Sequence, residues 1–223
     1  MRAVAIVPAF DEEGRVGATV DALRSLDGVE AVVVVDAGSG DATGAEASAA
    51  GATVLVSPGR IGKGEALEAG VSRAGSADLY VLADADLGAS AARMGPLLDE
   101  VRSGRADMAV AVFPAPPSGG FGLVKRMARS LIQRLTGLSP DEPLSGQRVV
   151  SGRCLRACRP LARGFGVEVG LTADAARLGF TIREVPVSLE HRFTRKDVPG
   201  FVHRGRQGLD AVRAAAPRLL SLR

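Results

Sequence analysis

The 223-residue chain has few aromatic side chains: they make up 4% of it, with one tyrosine and no tryptophan. Proteins that bind single-stranded nucleic acid stack the bases on aromatic rings, so this scarcity argues against a nucleic-acid partner. Histidine is also rare, with two in the chain. The sequence contains neither a Ser/His/Asp nucleophile pattern nor a Gly-x-Ser-x-Gly motif, so no hydrolase nucleophile is indicated.

Cysteines and long apolar runs are also lacking. Cys154 and Cys158, the two cysteines, are four residues apart. This spacing fits neither a zinc site nor a disulfide framework, so we expect reduced thiols on a helix of a cytoplasmic protein. No apolar run approaches the ~18 residues needed to span a bilayer. The apolar N-terminal stretch gives way to acids at 11–13, so we expect no signal peptide and at most a peripheral contact with the inner face of a membrane.

Charge is unevenly distributed along the chain. The whole chain carries a net charge of +3, whereas residues 191–223 carry +6 and residues 1–190 carry −3. We expect the basic C-terminal segment 191–223 to pack on or close over a site for an anionic partner: phosphate groups, lipid headgroups or nucleic acid. A solvated basic tail is the simpler alternative.

Short apolar runs alternate with helical patterns along the first half of the chain. Residues 3–8, 31–35, 53–56 and 79–82 are mostly aliphatic or β-branched and predict buried strands. Between them apolar residues recur at helical spacing, which gives the alternation of a doubly wound α/β half-domain. The length of the chain favours one domain.

Acidic residues follow three of these strands. Asp11 and Glu12 follow the first, Asp36 the second, and Asp84 with Asp86 the fourth. Because the carboxyl ends of parallel strands share one edge of a sheet, we expect these acids to converge on a site there. Carboxylate oxygens are ligands that Mg²⁺ or Mn²⁺ prefers, and such a cation would hold phosphates. The simpler alternatives are acids that cap the following helices or are merely solvated.

Other segments are typical of the surroundings of such a site. Gly62–Lys63–Gly64 opens a helix and resembles a phosphate cradle, but it lacks the spacing of a P-loop, which disfavours a Walker ATPase. Residues 114–120 have the composition of a loop. Residues 124–135 predict an amphipathic helix with a basic face, which either packs on its own sheet or lies on a membrane surface. Glu168 stands in the first turn of a predicted helix.

Six short motifs follow one another over most of the chain. They are VPAFDEE (7–13), VDAGSGD (35–41), GKGEAL (62–67), DAD (84–86), DEPLSGQR (141–148) and GVE (166–168). In this order and spacing they resemble the nucleotide-sugar glycosyltransferases of family 2. Among these, the motifs are most similar to the glucosyl-phosphoglycerate synthases and the polyprenyl-phosphate sugar synthases.

The resemblance implies an α/β protein with the GT-A fold: a Rossmann-like, mostly parallel mixed sheet flanked by helices in a single domain. It implies a glycosyltransferase domain at 1–190, with a nucleotide-binding half at 1–113 and an acceptor half at 114–190. The donor would be a nucleotide-diphosphate sugar, most simply a UDP-sugar. The cofactor would be Mg²⁺ or Mn²⁺.

The resemblance also implies roles for individual residues. Those expected to bind the nucleotide sugar are Pro8, Ala9, Phe10, Glu12, Asp36, Ala37, Lys63, Asp84 and Ala85, with Lys63 near the uracil and Asp84 facing the ribose. Asp86 and His191 would coordinate the metal, and Glu168 would face the transferred sugar or the acceptor. Negative charge develops on the diphosphate as the glycosidic bond breaks, and a metal neutralises it as a Lewis acid. Side chains of the basic segment would add to that neutralisation: Arg192, Arg195 and Lys196.

The stereochemistry and the acceptor stay open at this stage. An inverting enzyme needs a carboxylate base at the acceptor hydroxyl, and Asp141 is the candidate, whereas a retaining enzyme needs none there. Ala37 replaces the Asp or Ser of the relatives, and Phe121 and Gly122 replace an Arg and a Thr that phosphoglycerate enzymes use for their acceptor. We therefore expect either a phosphorylated small molecule or a polyprenyl phosphate, and a homodimer is compatible with both.

Two other functions compete with glycosyl transfer. A sugar-phosphate nucleotidyltransferase shares this fold class, but usually begins with a Gly-rich loop bearing Arg and Lys, where this chain has acidic PAFDEEGR. The other alternative is a non-catalytic protein that binds nucleotide sugars or acts as an adaptor at a membrane surface.

Overall fold

One seven-stranded sheet organises the protein; the structure, a computed structural model, describes residues 1–113 and 122–189. In chain order the strands are β1 Ala3–Ala9, β2 Val29–Asp36, β3 Thr53–Val56, β4 Leu79–Leu82, β5 Met108–Val112, β6 Arg148–Ser151 and β7 Ile182–Pro186. In space they follow the order β3-β2-β1-β4-β6-β5-β7. β6 is antiparallel to both neighbours, and the other pairs are parallel. The predicted mostly parallel, mixed sheet is confirmed.

Helices connect the strands and cover both faces of the sheet. They are α1 Val16–Arg24, α2 Thr43–Ala49, α3 Lys63–Ala74, α4 Gly95–Arg102, α5 Gly122–Thr136, α6 Gly152–Ala157 and α7 Val167–Arg177. Two 3₁₀ helices, Gly88–Met94 and Gly164–Gly166, precede α4 and α7.

Two apolar cores lie on the two faces of the sheet, because successive side chains of a strand point to opposite faces. Val7 and Val81 belong to the core covered by α1 and α4. Ile6 and Leu82 belong to the core covered by α3, α6 and α7. The β-branched run at 32–35 is buried throughout, as expected for strands that are covered on both faces.

The strand directions define one functional edge. β1, β2 and β4 are parallel and end at the same edge. Since β6 runs the other way, it begins at that edge, where Arg148 pairs with Leu82. The residues just before β6 therefore lie beside the residues just after β4.

Helix α5 packs on α7, which is the packed-helix alternative for the basic amphipathic segment. Ala128 and Ile132 are buried together with Val169 of α7. On its polar side, Lys125 Nζ lies 2.5 Å from Glu142 Oε1. Part of the basic face thus binds the protein's own acidic loop.

The described part of the chain also contains both cysteines and most of the predicted helices. Cys154 and Cys158 are buried free thiols in and directly after α6. Within residues 1–113 and 122–189, every helix is too short or too polar to cross a bilayer.

Candidate functional site

The loops after β1 and β2 are bound to each other at the functional edge. The N–H of Asp11 donates to Ser39 Oγ at 3.0 Å, and the N–H of Gly40 donates back to Asp11 Oδ1 at 2.9 Å. Glu12 N donates to Thr43 Oγ1 at 2.8 Å. Asp11 adopts a left-handed backbone, with φ of 53°, which an Asp tolerates better than most residues. The two loops therefore form one wall of a cleft.

These hydrogen bonds between the two loops differ from the simpler alternative, in which the acids at 11–13 cap the following helix. The first turn of α1 contains no acid. Glu46 of α2 instead accepts from Gly17 N in the first turn at 2.9 Å and from Gly14 N just before the helix at 2.5 Å. Asp11 and Glu13 accept from the second loop.

Asp36 holds the turn that follows β2. It is 5% exposed, and its Oδ1 accepts from Gly38 N at 3.2 Å and Ser39 N at 2.8 Å. Gly38 has φ of +91°, and a Cβ there would lie 2.7 Å from the carbonyl carbon of Gly59. Only glycine fits that approach, so the 57–61 loop can lie directly against Ala37.

The ring of Phe10, just after β1, stacks with the guanidinium of Arg60. Arg60 Cζ lies 4.0 Å from the centroid of the Phe10 ring, within the range of a cation–π contact. The sequence identified Phe10 but gave no reason to single out Arg60. Below this pair, Ala9 is buried and its carbonyl accepts from Ala37 N at 2.8 Å, while Pro8 is half-buried.

A cluster of charged side chains lies where β4 ends. Lys63 Nζ lies 2.6 Å from Asp84 Oδ1 and 2.8 Å from Glu168 Oε1. Burial opposes the charge on Lys63, but the two carboxylates outweigh it and raise its pKa above the usual lysine value. Lys63 therefore stays an ammonium and pairs with two acids, one just after β4 and one in α7.

The segment before β6 covers this cluster. Gln147 Nε2 donates to Asp84 Oδ2 at 2.6 Å. A Cβ on Gly146 would lie 2.5 Å from Lys63 Nζ, so the backbone at this glycine lies directly against the cluster. Sequence reasoning assigned no role to these two residues. Their position inside the DEPLSGQR motif was the available signal.

Glu168 is fixed by its helix. It lies in the first turn of α7, as predicted, and is 6% exposed. The start of this helix packs close to α3, where a Cβ on Gly64 would lie 2.0 Å from the carbonyl oxygen of Ala162. Gly164 N donates to Glu65 Oε2 at 3.0 Å. These contacts set the distance between Lys63 and Glu168.

Helix α1 anchors the turn at residues 84–86. Ala85 is buried, and its carbonyl accepts from Thr19 Oγ1 at 2.7 Å. Thr19 Oγ1 also accepts from Gly88 N at 2.8 Å. This anchoring leaves Asp84 and Asp86 half-buried at the edge of the sheet.

The described residues fit a divalent cation only in part. Asp86 offers oxygen ligands of the type that Mg²⁺ and Mn²⁺ prefer. In residues 1–113 and 122–189 no three His, Cys, Asp or Glu side chains are grouped to hold a metal. Mg²⁺ commonly uses one or two carboxylates together with substrate phosphates and water, so Asp86 is compatible with it. The predicted ligand and phosphate contacts of the basic segment lie outside the described residues: His191, Arg192, Arg195 and Lys196.

Asp141 lies apart from this cluster. Its carboxylate, whose side chain is 78% exposed, is 3.6 Å from Arg129 Nη2 of α5. Its N–H donates to Glu184 Oε2 of β7 at 2.8 Å. These contacts lead to α5 and β7 and not to Lys63. The role of a catalytic base at Asp141 stays a prediction.

Comparison with known proteins agrees with this geometry. The model of the family "Glycosyl transferase family 2" matches residues 4–154. Glucosyl-3-phosphoglycerate synthase of Mycolicibacterium paratuberculosis is 33% identical over 84% of this chain and 64% of its own length. The synthase of the same name from Mycobacterium tuberculosis is 33% identical over 78% of this chain and 61% of its own length. The chain thus spans less than two thirds of these curated relatives.

Solved structures give the same picture. The Mycobacterium tuberculosis glucosyl-3-phosphoglycerate synthase in complex with Mg²⁺ and UDP superposes with a TM-score of 0.80 at 29% identity, covering 97% of this chain and 79% of that one. Its complex with Mn²⁺, UDP-glucose and phosphoglyceric acid gives a TM-score of 0.79 at 28% identity with the same coverage.

Proposed function

The chain belongs to glycosyl transferase family 2, and from that premise we propose that it transfers a sugar from a UDP-sugar to a phosphate-bearing acceptor with the help of Mg²⁺ or Mn²⁺. The observation that carries the proposal is the cluster of Lys63, Asp84 and Glu168 at the carboxyl edge of the sheet. It joins the nucleotide-binding strands to the helix that we assign to the sugar and the acceptor.

The donor lies, in this proposal, against the wall formed by the first two loops. Pro8 and Ala9 end β1, and Phe10 and Glu12 follow it, while Asp36 ends β2 and Ala37 follows that strand. The ring of Phe10 and the guanidinium of Arg60 provide apolar and stacking surface suited to a planar base. Solved relatives that carry UDP in this fold support the assignment.

Asp86 is proposed to hold the metal, together with His191. A carboxylate at the edge of the sheet can share a cation with a diphosphate. The relatives solved with Mg²⁺ or Mn²⁺ together with UDP support this role. When bound, the cation supplies Lewis-acid neutralisation of the leaving diphosphate.

The chain's own residues orient the reacting sugar. Lys63 holds the carboxylate of Glu168 in a fixed place, because its ammonium lies 2.8 Å from Glu168 Oε1. Glu168, 6% exposed, is then a preorganised acceptor for hydrogen bonds from sugar or acceptor hydroxyls. Gln147 fixes the other oxygen of Asp84, so the cluster needs little rearrangement when the donor binds.

A small phosphorylated acceptor is the first candidate. The relatives are named for phosphoglycerate, and one structure holds phosphoglyceric acid beside UDP-glucose. A polyprenyl phosphate on a membrane is the second candidate, but Lys125 and Arg129 of α5 are already bound to the 140–142 loop. Fewer basic side chains are therefore left for lipid headgroups. The homodimer and the peripheral membrane contact stay predictions.

The test is a transfer assay with the full chain. A panel of UDP- and GDP-sugars is incubated with phosphoglycerate or a short polyprenyl phosphate, with Mn²⁺, Mg²⁺ or EDTA. We expect UDP release that needs both the metal and one acceptor. Release of pyrophosphate from UTP and a sugar 1-phosphate would indicate a nucleotidyltransferase instead. Metal-dependent UDP binding without turnover of any donor would indicate a non-catalytic binder.

A further inference from the structure

Arg148 is a buried charge whose role is not explained by packing. It is 1% exposed and is the largest fully buried side chain in the described residues. It lies on β6, on the same sheet face as Val150 of the core beneath α3 and α7. Burial lowers the pKa of Arg148 to about 10, which still leaves the guanidinium charged at neutral pH. Because a buried charge is costly, its partners indicate its role.

The guanidinium joins two parts of the site. Its Nε donates to the carbonyl of Ser145 at 2.8 Å, and its Nη1 donates to Thr172 Oγ1 at 2.8 Å. Thr172 Oγ1 in turn donates to the carbonyl of Glu168 at 2.9 Å. One rigid planar group thus connects the segment before β6 with the first turn of α7.

Both connected parts end in the charged cluster. The segment after Ser145 carries Gly146 and Gln147, which cover Lys63 and Asp84. The first turn of α7 carries Glu168, whose carboxylate binds Lys63. The position of Glu168 relative to Asp84 is therefore set from one side by Lys63 and from the other by Arg148.

The charges also balance only when Arg148 is counted. Lys63 alone faces two carboxylates. Glu168 acts electrostatically on Arg148, and Glu184 does so more weakly, although none of the hydrogen bonds of Arg148 described above goes to a carboxylate. Arg148 Nη2 makes no hydrogen bond within the described residues. The guanidinium therefore donates to neutral acceptors, while its charge compensates Glu168, a buried acid in the first turn of α7.

We propose that Arg148 is a positioning residue for Glu168: it fixes the first turn of α7 against the Ser145–Gln147 segment and supplies the second positive charge of the Lys63–Asp84–Glu168 cluster. This inference rests on the proposed glycosyl transfer for its catalytic meaning, because Glu168 is assigned there to the sugar or the acceptor. The structural link between Arg148 and Glu168 can be measured without turnover.

A double-mutant cycle tests that link. R148M and E168Q each remove one charge at nearly constant volume, and the double variant restores the balance. We expect the effect of E168Q on the unfolding equilibrium constant to differ at least about fivefold between the wild-type and R148M backgrounds, since residues that share a charge network couple. The matched control is E100Q. Glu100 lies in α4 and binds Arg105 and Arg183. Helix α4 covers the face of the sheet opposite to the core that contains Val150. The effect of E100Q should add to that of R148M. If the effect of E168Q also adds to that of R148M, the proposal is wrong.

Kinetics with R148K test the geometry separately from the charge. A lysine keeps the charge, but one ammonium cannot reproduce the planar fork that binds Ser145 and Thr172 together. We expect kcat to fall at least about tenfold, while KM for the UDP-sugar and the Kd for UDP with Mn²⁺ change less than about twofold. A wild-type kcat, or a parallel loss of UDP affinity, would contradict positioning. If R148M does not fold, the kinetics of R148K still test whether Arg148 positions Glu168. If the wild-type chain shows no turnover, the proposed function is wrong. The double-mutant cycle would still measure the coupling between Arg148 and Glu168.

Discussion

The ammonium of Lys63 lies 2.8 Å from the carboxylate of Glu168, although the two residues open helices in opposite halves of the chain. The rest of α3 continues this contact. Glu65 accepts from Gly164 N, and Glu68 accepts from Leu161 N at 3.0 Å. Successive turns of α3 thus bind the segment that leads into α7, and the candidate site is one end of that junction.

Lys63→Met should destabilise the protein and abolish sugar transfer. The variant leaves Asp84 and Glu168 without their shared cation, so we expect the free energy of unfolding to fall by about 3 kcal/mol. Partial exposure of Asp84, at 32%, keeps the loss below that of a fully buried pair. Urea denaturation measures it. The control is Lys125→Met, whose surface pair with Glu142 should contribute less than about 1 kcal/mol.

The cost of Lys63→Met should not depend on pH near neutrality. Its neighbours raise the pKa of Lys63, so its contribution is fully present below the unfolded lysine pKa of about 10.4. It is lost only as the pH rises through the still higher folded pKa. Denaturation curves between about pH 6 and pH 9 should therefore give the same difference in the free energy of unfolding between wild type and Lys63→Met.

Gly64→Ala tests the close approach of α3 to the segment before α7. A Cβ at this position would lie 2.0 Å from the carbonyl oxygen of Ala162, so a backbone must move. Despite the better helix propensity of alanine, we expect a loss of about 2 kcal/mol, or roughly 5 °C in Tm. Gly59→Ala is the control, because its Cβ would meet nothing within 4 Å. Equal melting temperatures for both variants would contradict the close contact.

Much of the fold follows from local sequence, but the order of the second half of the sheet does not. The run predicted at 53–56 is β3 Thr53–Val56, and the helix predicted at 124–135 is α5 Gly122–Thr136. Alternating apolar runs identify such elements because each repeats a short-range pattern. The insertion of β6 between β4 and β5 depends on contacts between distant segments, and its four residues carry no pattern that names their neighbours.

The same limit applies to the site. Asp84 and Asp86 were predictable at the end of a buried strand, because parallel strands share an edge. Gln147 and Arg148 were not assignable, since their contacts with Asp84 and Thr172 exist only once β6 lies beside β4. The alternative that the acids after β1 cap α1 is not what the structure shows, because Glu46 of a neighbouring helix accepts from the N–H of Gly17 in the first turn.

Glu68→Gln should change how stability depends on pH. Burial alone would raise the pKa of Glu68, but hydrogen bonds from Arg159 and from the N–H of Leu161, with the charge of Arg159, lower it. Its contribution is therefore present above the unfolded pKa of about 4.3 and is lost as the pH falls through the lower folded value. The variant should be less stable by about 1–2 kcal/mol near pH 7.

Urea denaturation at several pH values checks this dependence. The difference between wild type and Glu68→Gln should shrink as the pH falls below about 4. Glu30→Gln provides the control, because Glu30 forms an exposed pair with Arg2, with side-chain exposures of 60% and 41%. A difference that stays constant down to acidic pH would show that Glu68 is not held as an anion.

Asp86→Asn should remove the metal dependence of UDP binding and leave the fold intact. The amide keeps the shape of the side chain but loses the charge that a divalent cation prefers. In wild type we expect Mn²⁺ to tighten UDP binding at least about tenfold, or ~1.4 kcal/mol, whereas the variant should bind UDP with one affinity in Mn²⁺ or EDTA. Calorimetric titration measures both values. Asp99→Asn, at an exposed carboxylate of α4, should retain the wild-type response; if Asp86→Asn also retains it, the metal is held elsewhere and Asp86 belongs to the solvated acids of the sheet edge.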